Sequence, residues 1–196
     1  MQKRGEQRRR AIVDAATELF GRHGYRGTGL AVIAEQAGIT PSAVIHHFGS
    51  KEGLLRAVLD AHDARAAARL SRHVGKGVRG LVDALLDDAE DTQRHMHLST
   101  LHATLQAEHL TAGPGDEVRE RFLQRSRILR QAMADVLRGG IDSGEITDCP
   151  DPDATAAELL AFQEGALIVW RLDPERTDLR ALYETHLRHL IAQTGG

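Results

Sequence analysis

The sequence predicts an all-α protein built from two helical domains, and three observations support this fold class. Apolar residues recur at intervals of three and four along most of the chain, which is the spacing of one helix face. Alanine, arginine and leucine are abundant, whereas runs of β-branched residues, which favour strands, are absent. Clusters containing glycine or proline separate the periodic segments, where they end one helix before the next begins.

The composition is that of an ordinary globular protein, with 41% hydrophobic and 27% charged residues. The 196 residues suffice for one small domain and one larger domain. No run approaches the ~18 apolar residues of a membrane span, and the charged N-terminus lacks the apolar core of a secretory signal. The single Cys149 excludes an internal disulfide, so we expect a cytoplasmic protein without membrane association.

The first predicted helix covers residues 8–25. Its apolar side chains fall on one stripe, formed by Ile12, Ala15, Ala16, Leu19 and Phe20. Gly24 is predicted to close this helix, because glycine favours conformations that end a helix.

Residues 28–51 have the pattern of two short helices joined by a tight turn and followed directly by a third helix. Thr28 is predicted to cap the first helix, and Gly38 to take a left-handed conformation in the turn. Thr40 is predicted to cap the second helix, with Pro41 at its first position, where the missing N–H costs nothing. A helix-turn-helix presents its second helix to the major groove of DNA, so the sequence predicts a DNA-binding protein.

The rest of the chain predicts six further amphipathic helices. They cover residues 54–73, 78–90, 92–110, 118–137, 154–171 and 175–192. All the breaks between them except that at Asp91 contain glycine or proline, and the longest, residues 138–153, is predicted to be a loop.

Four segments occur in a fixed order near the N-terminus: AIVDAATELF, GYRGT, IAEQAGIT and HHF-x-SKEGLL. Through them, residues 8–59 resemble the DNA-binding domain of the tetracycline-repressor (TetR) family of bacterial transcription regulators. The resemblance implies an N-terminal three-helix helix-turn-helix domain at residues 1–52 and a helical ligand-binding and dimerisation domain at residues 53–196. It implies a homodimeric repressor without a cofactor, released from a palindromic double-stranded DNA operator by a small-molecule effector.

The residues predicted to contact DNA fall into two groups. Those assigned mainly to phosphates are Thr28, Thr40, His47 and Lys51, with Lys51 acting beside the helix N-terminus at Ser50. Those assigned to the groove, as candidates for contact with bases, are Pro41, Ser42, Ala43, Ile45 and His46.

The recognition helix departs from the family pattern at two positions. Ser42 stands where glycine is common, and Ile45 stands where tyrosine is usual. Ile45 cannot donate a hydrogen bond, so its partner is either a thymine methyl group or a neighbouring helix. Because Val44 is predicted to face the core and Ile45 lies about 100° further around the helix, we expect Ile45 to be at least partly exposed.

The net charge of −3 conceals an asymmetry between the two ends of the chain. Residues 1–60 contain nine Lys and Arg against six Asp and Glu, a balance of +3, which leaves −6 for the remainder. The cations at the start are Lys3, Arg4, Arg8, Arg9 and Arg10. A basic segment beside a helix-turn-helix is suited to phosphate contacts, and the alternative is a solvated tail.

The last two predicted helices have the composition of a dimer interface. Both are rich in large apolar residues, whereas one buried stripe per helix would suffice in a monomer. The candidates for the interface are Leu159, Gly165, Leu182 and Leu187. The alternative is that this pair completes the core of the monomer.

The family resemblance implies an effector pocket among the middle helices. The candidates to line it are His62, Met96, His102, Leu105, Phe122, Leu129 and Phe162. Histidines on these helices could bind a transition metal, although no compact His-x3-His pair is present, or they could simply be solvated. Arginines on the same helices could instead receive an acidic ligand.

Two other classes of protein compete with a DNA-binding regulator. The chain contains no P-loop, G-x-G-x-x-G, G-x-S-x-G or H-E-x-x-H motif, so we expect no enzyme. A helical protein-interaction adaptor and a metal-responsive regulator remain as alternatives, and an adaptor would lack salt-sensitive DNA binding.

Overall fold

The computed structural model describes the backbone of residues 2–193 and the side chains of residues 4–192. Within that range the chain forms nine helices and no strand, which confirms the predicted fold class. The helices are α1 Gln2–Gly27, α2 Leu30–Gln36, α3 Pro41–Phe48, α4 Lys51–Ser71, α5 Gly77–Arg94, α6 Met96–His109, α7 Glu117–Ser143, α8 Pro152–Leu172 and α9 Leu179–Gln193. None of the helices in this described range has the length and apolar character needed to cross a bilayer.

The chain divides into two compact units, and neither is a continuous segment. The first unit is Met1–Ala67 with His95–Glu108, and the second is Ala68–Arg94 with His109–Gly196. The first unit extends past residue 52 because the start of α4 is buried in it, at positions such as Leu54. The boundary after residue 52 separates the DNA-binding part from the effector-binding part by function, and it stays a prediction.

The core of the first unit follows the predicted apolar stripe of α1. Ile12, Ala16 and Phe20 are almost completely buried. α6, up to Glu108, belongs to the same unit and buries residues at intervals of three and four, namely Leu98, Leu101 and Leu105. α1 itself begins at Gln2, six residues earlier than predicted, and Gly24 (φ +74°) interrupts its regular helix where the sequence predicted an end.

One glycine lets α1 and α6 meet at backbone distance. A Cβ atom added to Gly21 would lie 2.6 Å from the carbonyl carbon of His97 and closer still to its carbonyl oxygen. The adjacent Arg22 donates a hydrogen bond to Nε2 of His97 at 3.4 Å. Since no side chain fits between the two backbones, this position requires glycine.

The helix-turn-helix forms as the local signals predict. Gly38 takes a positive φ of +67° in the turn, and Pro41 occupies the start of α3. The Thr40 side chain accepts a hydrogen bond from the backbone N–H of Ala43 at 3.3 Å, which confirms Thr40 as the cap of α3. α2 and α3 pack together through residues that are fully buried, Ile33, Ala34 and Val44.

The second unit is a bundle in which α7 packs on α8 and α5, and α9 packs on α5 and α8. Its core is built from apolar side chains on all four helices, including Leu85, Met133, Leu137, Leu159, Trp170, Tyr183 and Leu187. At the end of α4, Arg69 adds a charged contact within this unit, with its guanidinium 2.7 Å from Asp88 and 2.5 Å from Asp91.

α7 continues through residues that the sequence assigned to a loop. The helix ends at Ser143, and Gly144 (φ +79°) provides the left-handed cap, so the prediction of a loop from residue 138 is wrong. Gly140 is buried, and a Cβ atom there would lie 2.5 Å from a methyl group of Val78. The glycine therefore serves close packing of α7 against α5 and does not break the helix.

α9 begins at Leu179, four residues later than predicted. Two aspartates account for this start: Asp173 accepts a hydrogen bond from the N–H of Arg176 at 3.3 Å, and Asp178 accepts one from the N–H of Ala181 at 3.1 Å. The turn at Asp173 keeps residues 173–176 out of the helix. Asp178 stands directly before Leu179 and accepts from the third helical N–H, so it caps α9 and fixes its start.

Candidate DNA-binding surface

The second helix of the helix-turn-helix, α3, has one buried face and one solvent face. Val44 is fully buried. Of the residues assigned to the groove, Ala43 is half-buried, and the exposed ones are Pro41, Ser42, Ile45 and His46. The exposed face thus offers a hydroxyl group, an imidazole and a branched aliphatic group, which are suited to base edges and thymine methyl groups. Contact of these residues with DNA stays a prediction.

Ile45 is 43% exposed, which confirms the expectation that it faces away from the core. Its side chain is one of the large apolar groups that this unit leaves in contact with water. An exposed aliphatic side chain beside polar groups is available for an apolar contact in the major groove.

Thr40 is exposed at the N-terminus of α3, where its hydroxyl group lies 2.9 Å from the hydroxyl group of Ser42. The pair places two hydroxyl groups next to the positive end of the helix dipole. This arrangement suits a phosphate oxygen, as predicted for Thr40.

Thr28 does not cap α2, although the sequence predicted that it would. Gly29 is the N-cap residue of α2 and makes no side-chain capping bond, so the assignment of the cap to Thr28 is wrong. The Thr28 hydroxyl group donates to the carbonyl oxygen of Gly24 at 2.9 Å, with that of Leu19 as a second acceptor at 3.2 Å. Thr28 is 3% exposed and its hydroxyl group closes the end of α1, so these contacts lend no support to its assignment to a phosphate, which stays a prediction.

The cation at the start of α4 is held on an aromatic ring. Nζ of Lys51 lies 4.5 Å from the centroid of the Tyr25 ring, within the range of a cation–π contact. The Ser50 side chain accepts a hydrogen bond from the N–H of Gly53 at 3.1 Å, as expected of the predicted cap of this helix. Lys51 is half-buried and has a defined position close to the recognition helix.

Glu52 fixes the other side of the same ring. The Tyr25 hydroxyl group donates to Oε1 of Glu52 at 3.1 Å. Burial, together with this carboxylate, raises the pKa of Tyr25 to about 12. The N–H of Glu52 itself, the Ser50 hydroxyl group and Tyr25 lower the pKa of the Glu52 carboxyl group, so both groups keep their usual charge state near neutral pH.

A second cation at this surface also lies over an aromatic ring. The guanidinium carbon of Arg9 is 5.2 Å from the centroid of the Phe48 ring, at the end of α3. The ring of Phe48 also lies 6.2 Å from that of His47, which is half-buried. Arg9 is therefore attached to the recognition helix through its last residue.

The basic N-terminal segment forms the first turns of α1 and is not a loose tail over the described range. Arg4, Arg8 and Arg10 are exposed. Met1 and the side chain of Lys3 lie outside the described residues. The exposed cations form a positive edge that is suited to nonspecific attraction of DNA phosphates.

The sequence did not identify Tyr25, Glu52 and Phe48 as parts of this surface. Tyr25 precedes Lys51 by 26 positions, so no local periodicity relates them, and only the folding of α1 onto α4 brings them together. The available signals were the GYRGT segment and the Phe48 that precedes the cap of α4, and both are equally compatible with a purely structural role.

The residues predicted to line an effector pocket belong to different units. His62, Met96, His102 and Leu105 are in the first, and Phe122, Leu129 and Phe162 are in the second. The rings of His62 and His102 are 4.8 Å apart, Met96 is 39% exposed and Leu105 is fully buried. Phe162 stacks on His186 at 3.8 Å, and burial lowers the pKa of that histidine. The pocket stays a prediction.

The residues predicted for a dimer interface have two kinds of environment. Leu159 and Leu187 are 1% and 4% exposed and lie in the core of the second unit, so the protomer itself covers them. Leu182 is half-buried, while Gly165 is exposed, and a Cβ atom added to Gly165 would meet nothing within 4 Å. α8 also exposes apolar side chains outside these four candidates, Ile168, Val169 and Leu172.

Metal binding was one alternative for the histidines. Among the residues that the structure describes, no group of three or more His, Cys, Asp and Glu side chains is arranged to hold a metal ion. The hypothesis of a metal-responsive regulator therefore gains no support from the described side chains.

A three-helix unit with an exposed second helix, two cations on aromatic rings and a basic edge defines the class of helix-turn-helix DNA-binding proteins. The family model of bacterial regulatory proteins of the tetR family matches residues 12–58. The model of the C-terminal part of BetI-type transcriptional repressors matches residues 76–194. The chain therefore belongs to the TetR family of bacterial transcription regulators.

Individual relatives agree with this assignment. The HTH-type transcriptional regulatory protein RaaS of Mycobacterium tuberculosis is 31% identical over 188 residues, which are 92% of this chain and 79% of that protein. A TetR transcriptional regulator from Chloroflexus aurantiacus has a TM-score of 0.82 and 27% identity over 99% of this chain and 98% of its own. The SmeT–triclosan complex shares the fold, with a TM-score of 0.75 and 24% identity over 93% of this chain and 91% of its own.

Proposed function

We propose that the chain is a homodimeric repressor that binds a palindromic DNA operator through α3 and is released by a small-molecule effector. The observation that carries the proposal is the exposed face of α3, on which Ser42, Ile45 and His46 are accessible beside Lys51 and Arg9. The match to BetI-type transcriptional repressors supports repression of transcription rather than activation. We propose no catalytic activity for the chain.

Operator binding can be tested with a matched pair of variants. A binding site is first selected from random DNA, and its affinity is then measured by fluorescence anisotropy. Ser42→Glu places a carboxylate on the exposed face of α3, so we expect affinity to fall at least a hundredfold through repulsion by phosphates. Ser126→Glu introduces the same group on the exposed surface of α7 and should bind normally.

Two results of this experiment would contradict the proposal. Failure of the wild-type protein to enrich any DNA sequence would refute DNA binding. Equal affinities of the Ser42→Glu and Ser126→Glu variants would show that α3 does not contact the DNA. A protein-interaction adaptor predicts the first of these results, and an operator-binding regulator predicts neither.

The proposed dimer forms through α8 and α9. Ile168, Val169 and Leu172 are 57%, 53% and 81% exposed, so α8 presents an apolar strip that a second copy would cover. Gly165, on the same helix, leaves open space for close approach of a partner helix. An effector would then act by favouring a separation of the two recognition helices that does not match the operator.

The dimer can be tested at Gly165 without disturbing the protomer. A side chain at this position meets nothing within 4 Å, so Gly165→Leu should fold normally and affect only a partner helix. We expect the wild type to sediment as a dimer at micromolar concentration and Gly165→Leu to dissociate more readily. Gly139→Leu is the control, since it also adds a side chain in open space, but on α7. A monomeric wild type that binds its palindromic site tightly would refute the proposed assembly.

A further inference from the structure

We infer that Tyr25 is a positioning residue for DNA binding, because its ring holds the Lys51 ammonium group where a backbone phosphate can meet it. This inference rests on the proposed function, since it presupposes that the helix-turn-helix binds DNA. Tyr25, at the end of α1, would thus contribute to a phosphate contact indirectly, through the position of Lys51.

The ring of Tyr25 is fixed from two sides before it contacts Lys51. It packs edge-to-face with the ring of Phe20, with centroids 5.3 Å apart and planes at 66°. Its hydroxyl group donates to Oε1 of Glu52 at 3.1 Å. These two contacts restrict rotation of the ring and orient its face.

Lys51 gains a defined position from this ring. A lysine side chain has four rotatable bonds, and an unsupported one pays rotamer entropy when it is immobilised on a phosphate. Contact of Nζ with the face of Tyr25, at 4.5 Å from the centroid, orders the side chain before DNA arrives. Pre-ordering of this kind improves affinity because less freedom is lost on binding.

The salt dependence of DNA binding separates positioning from a structural role. Affinity for the selected operator is measured at several salt concentrations for the wild type, Tyr25→Leu, Lys51→Gln and the double variant. Lys51→Gln should make the slope of log affinity against log salt shallower by about 0.9 per protomer. Tyr25→Leu should weaken binding about fivefold, shift the slope in the same direction, and cost nothing further in the Lys51→Gln background.

Variants of matched shape keep the test valid if Tyr25→Leu fails to fold. Tyr25→Phe retains the ring face and should bind DNA nearly as well as the wild type. Replacement of Tyr25 by trifluorophenylalanine keeps the phenyl shape but withdraws electron density from the face, so it should weaken binding about threefold relative to Tyr25→Phe. Equal affinity of these two variants would overturn the inference.

Other outcomes are equally decisive. If Tyr25→Leu weakens binding by the same factor in the wild-type and Lys51→Gln backgrounds, and the salt slope is unchanged, Tyr25 acts only through stability. If the wild type binds no DNA at any salt concentration, the proposed function fails. Normal DNA binding by the wild type together with normal binding by all Tyr25 variants refutes the positioning role alone.

Discussion

Two adjacent glycines in α7 provide a sharp test of the fold. Gly139 is exposed, and a Cβ atom added to it would meet nothing within 4 Å. Gly140 is buried, and its added Cβ atom would lie 2.5 Å from a methyl group of Val78 and 3.1 Å from Cδ1 of Ile146. Alanine at these two positions should therefore change the free energy of unfolding in opposite directions.

The expected magnitudes follow from helix propensity and packing. Gly139→Ala should stabilise the protein by up to about 1 kcal/mol, the ordinary difference between the two residues inside a helix. Gly140→Ala receives the same gain but compresses a packed core, which costs about 1–3 kcal/mol. A contact as short as 2.5 Å to a stiff valine places the cost in the upper half of this range, so we expect net destabilisation of about 1–2 kcal/mol.

Thermal and urea unfolding of both variants, at one protomer concentration, measure the difference, since the stability of an oligomer depends on concentration. The two midpoints should be separated by roughly 4–12 °C in a chain of this size. Gly140→Ala as stable as Gly139→Ala would refute the packing of α7 on α5. Reduced stability of both variants would refute a helix over these residues.

Three further predictions concern function. Deletion of residues 1–7 should weaken specific and nonspecific DNA binding by similar factors, and it should make the slope of log affinity against log salt shallower by about 0.9 for each phosphate that the segment neutralises. An unchanged slope would show that the segment does not contact DNA. Ile45→Ala should leave the thermal midpoint nearly unchanged, because the side chain is 43% exposed, but cost about 1 kcal/mol at one thymine-containing step, as measured by site selection on both proteins. His102→Ala and Phe122→Ala should alter the response to an effector found by thermal-shift screening, while the effector-free protein keeps its affinity for the operator. Loss of both the effector response and the operator affinity would assign these residues to the core.

The helix-turn-helix could be predicted from the sequence because its signals are local. The Thr40 cap, Pro41 and Gly38 lie within four residues of one another, and each acts through its own backbone. The burial of Val44 and the exposure of Ile45 then follow from helical geometry alone, which explains why both were predicted correctly.

The features that the sequence did not predict depend on distant partners. A pair of glycines after Arg138 resembles a helix end, and only Val78, some sixty positions earlier, reveals that Gly140 is required for packing. Threonine is a preferred helix cap, but the hydroxyl group of Thr28 is bonded to carbonyl oxygens of α1 instead. For Leu159, a strongly apolar sequence could not distinguish the core of one protomer from the surface between two.

The discontinuity of the first unit has a consequence for building hybrid regulators. A chimera that joins residues 1–67 to the effector domain of another protein would omit Leu98, Leu101 and Leu105, which complete the core of this unit. It would also leave α1 without the backbone that covers Gly21. The transferable part for exchange of DNA specificity is therefore either the short stretch 28–51 alone or residues 1–67 grafted together with 95–108, and a single junction between the two halves of the chain yields an incomplete core.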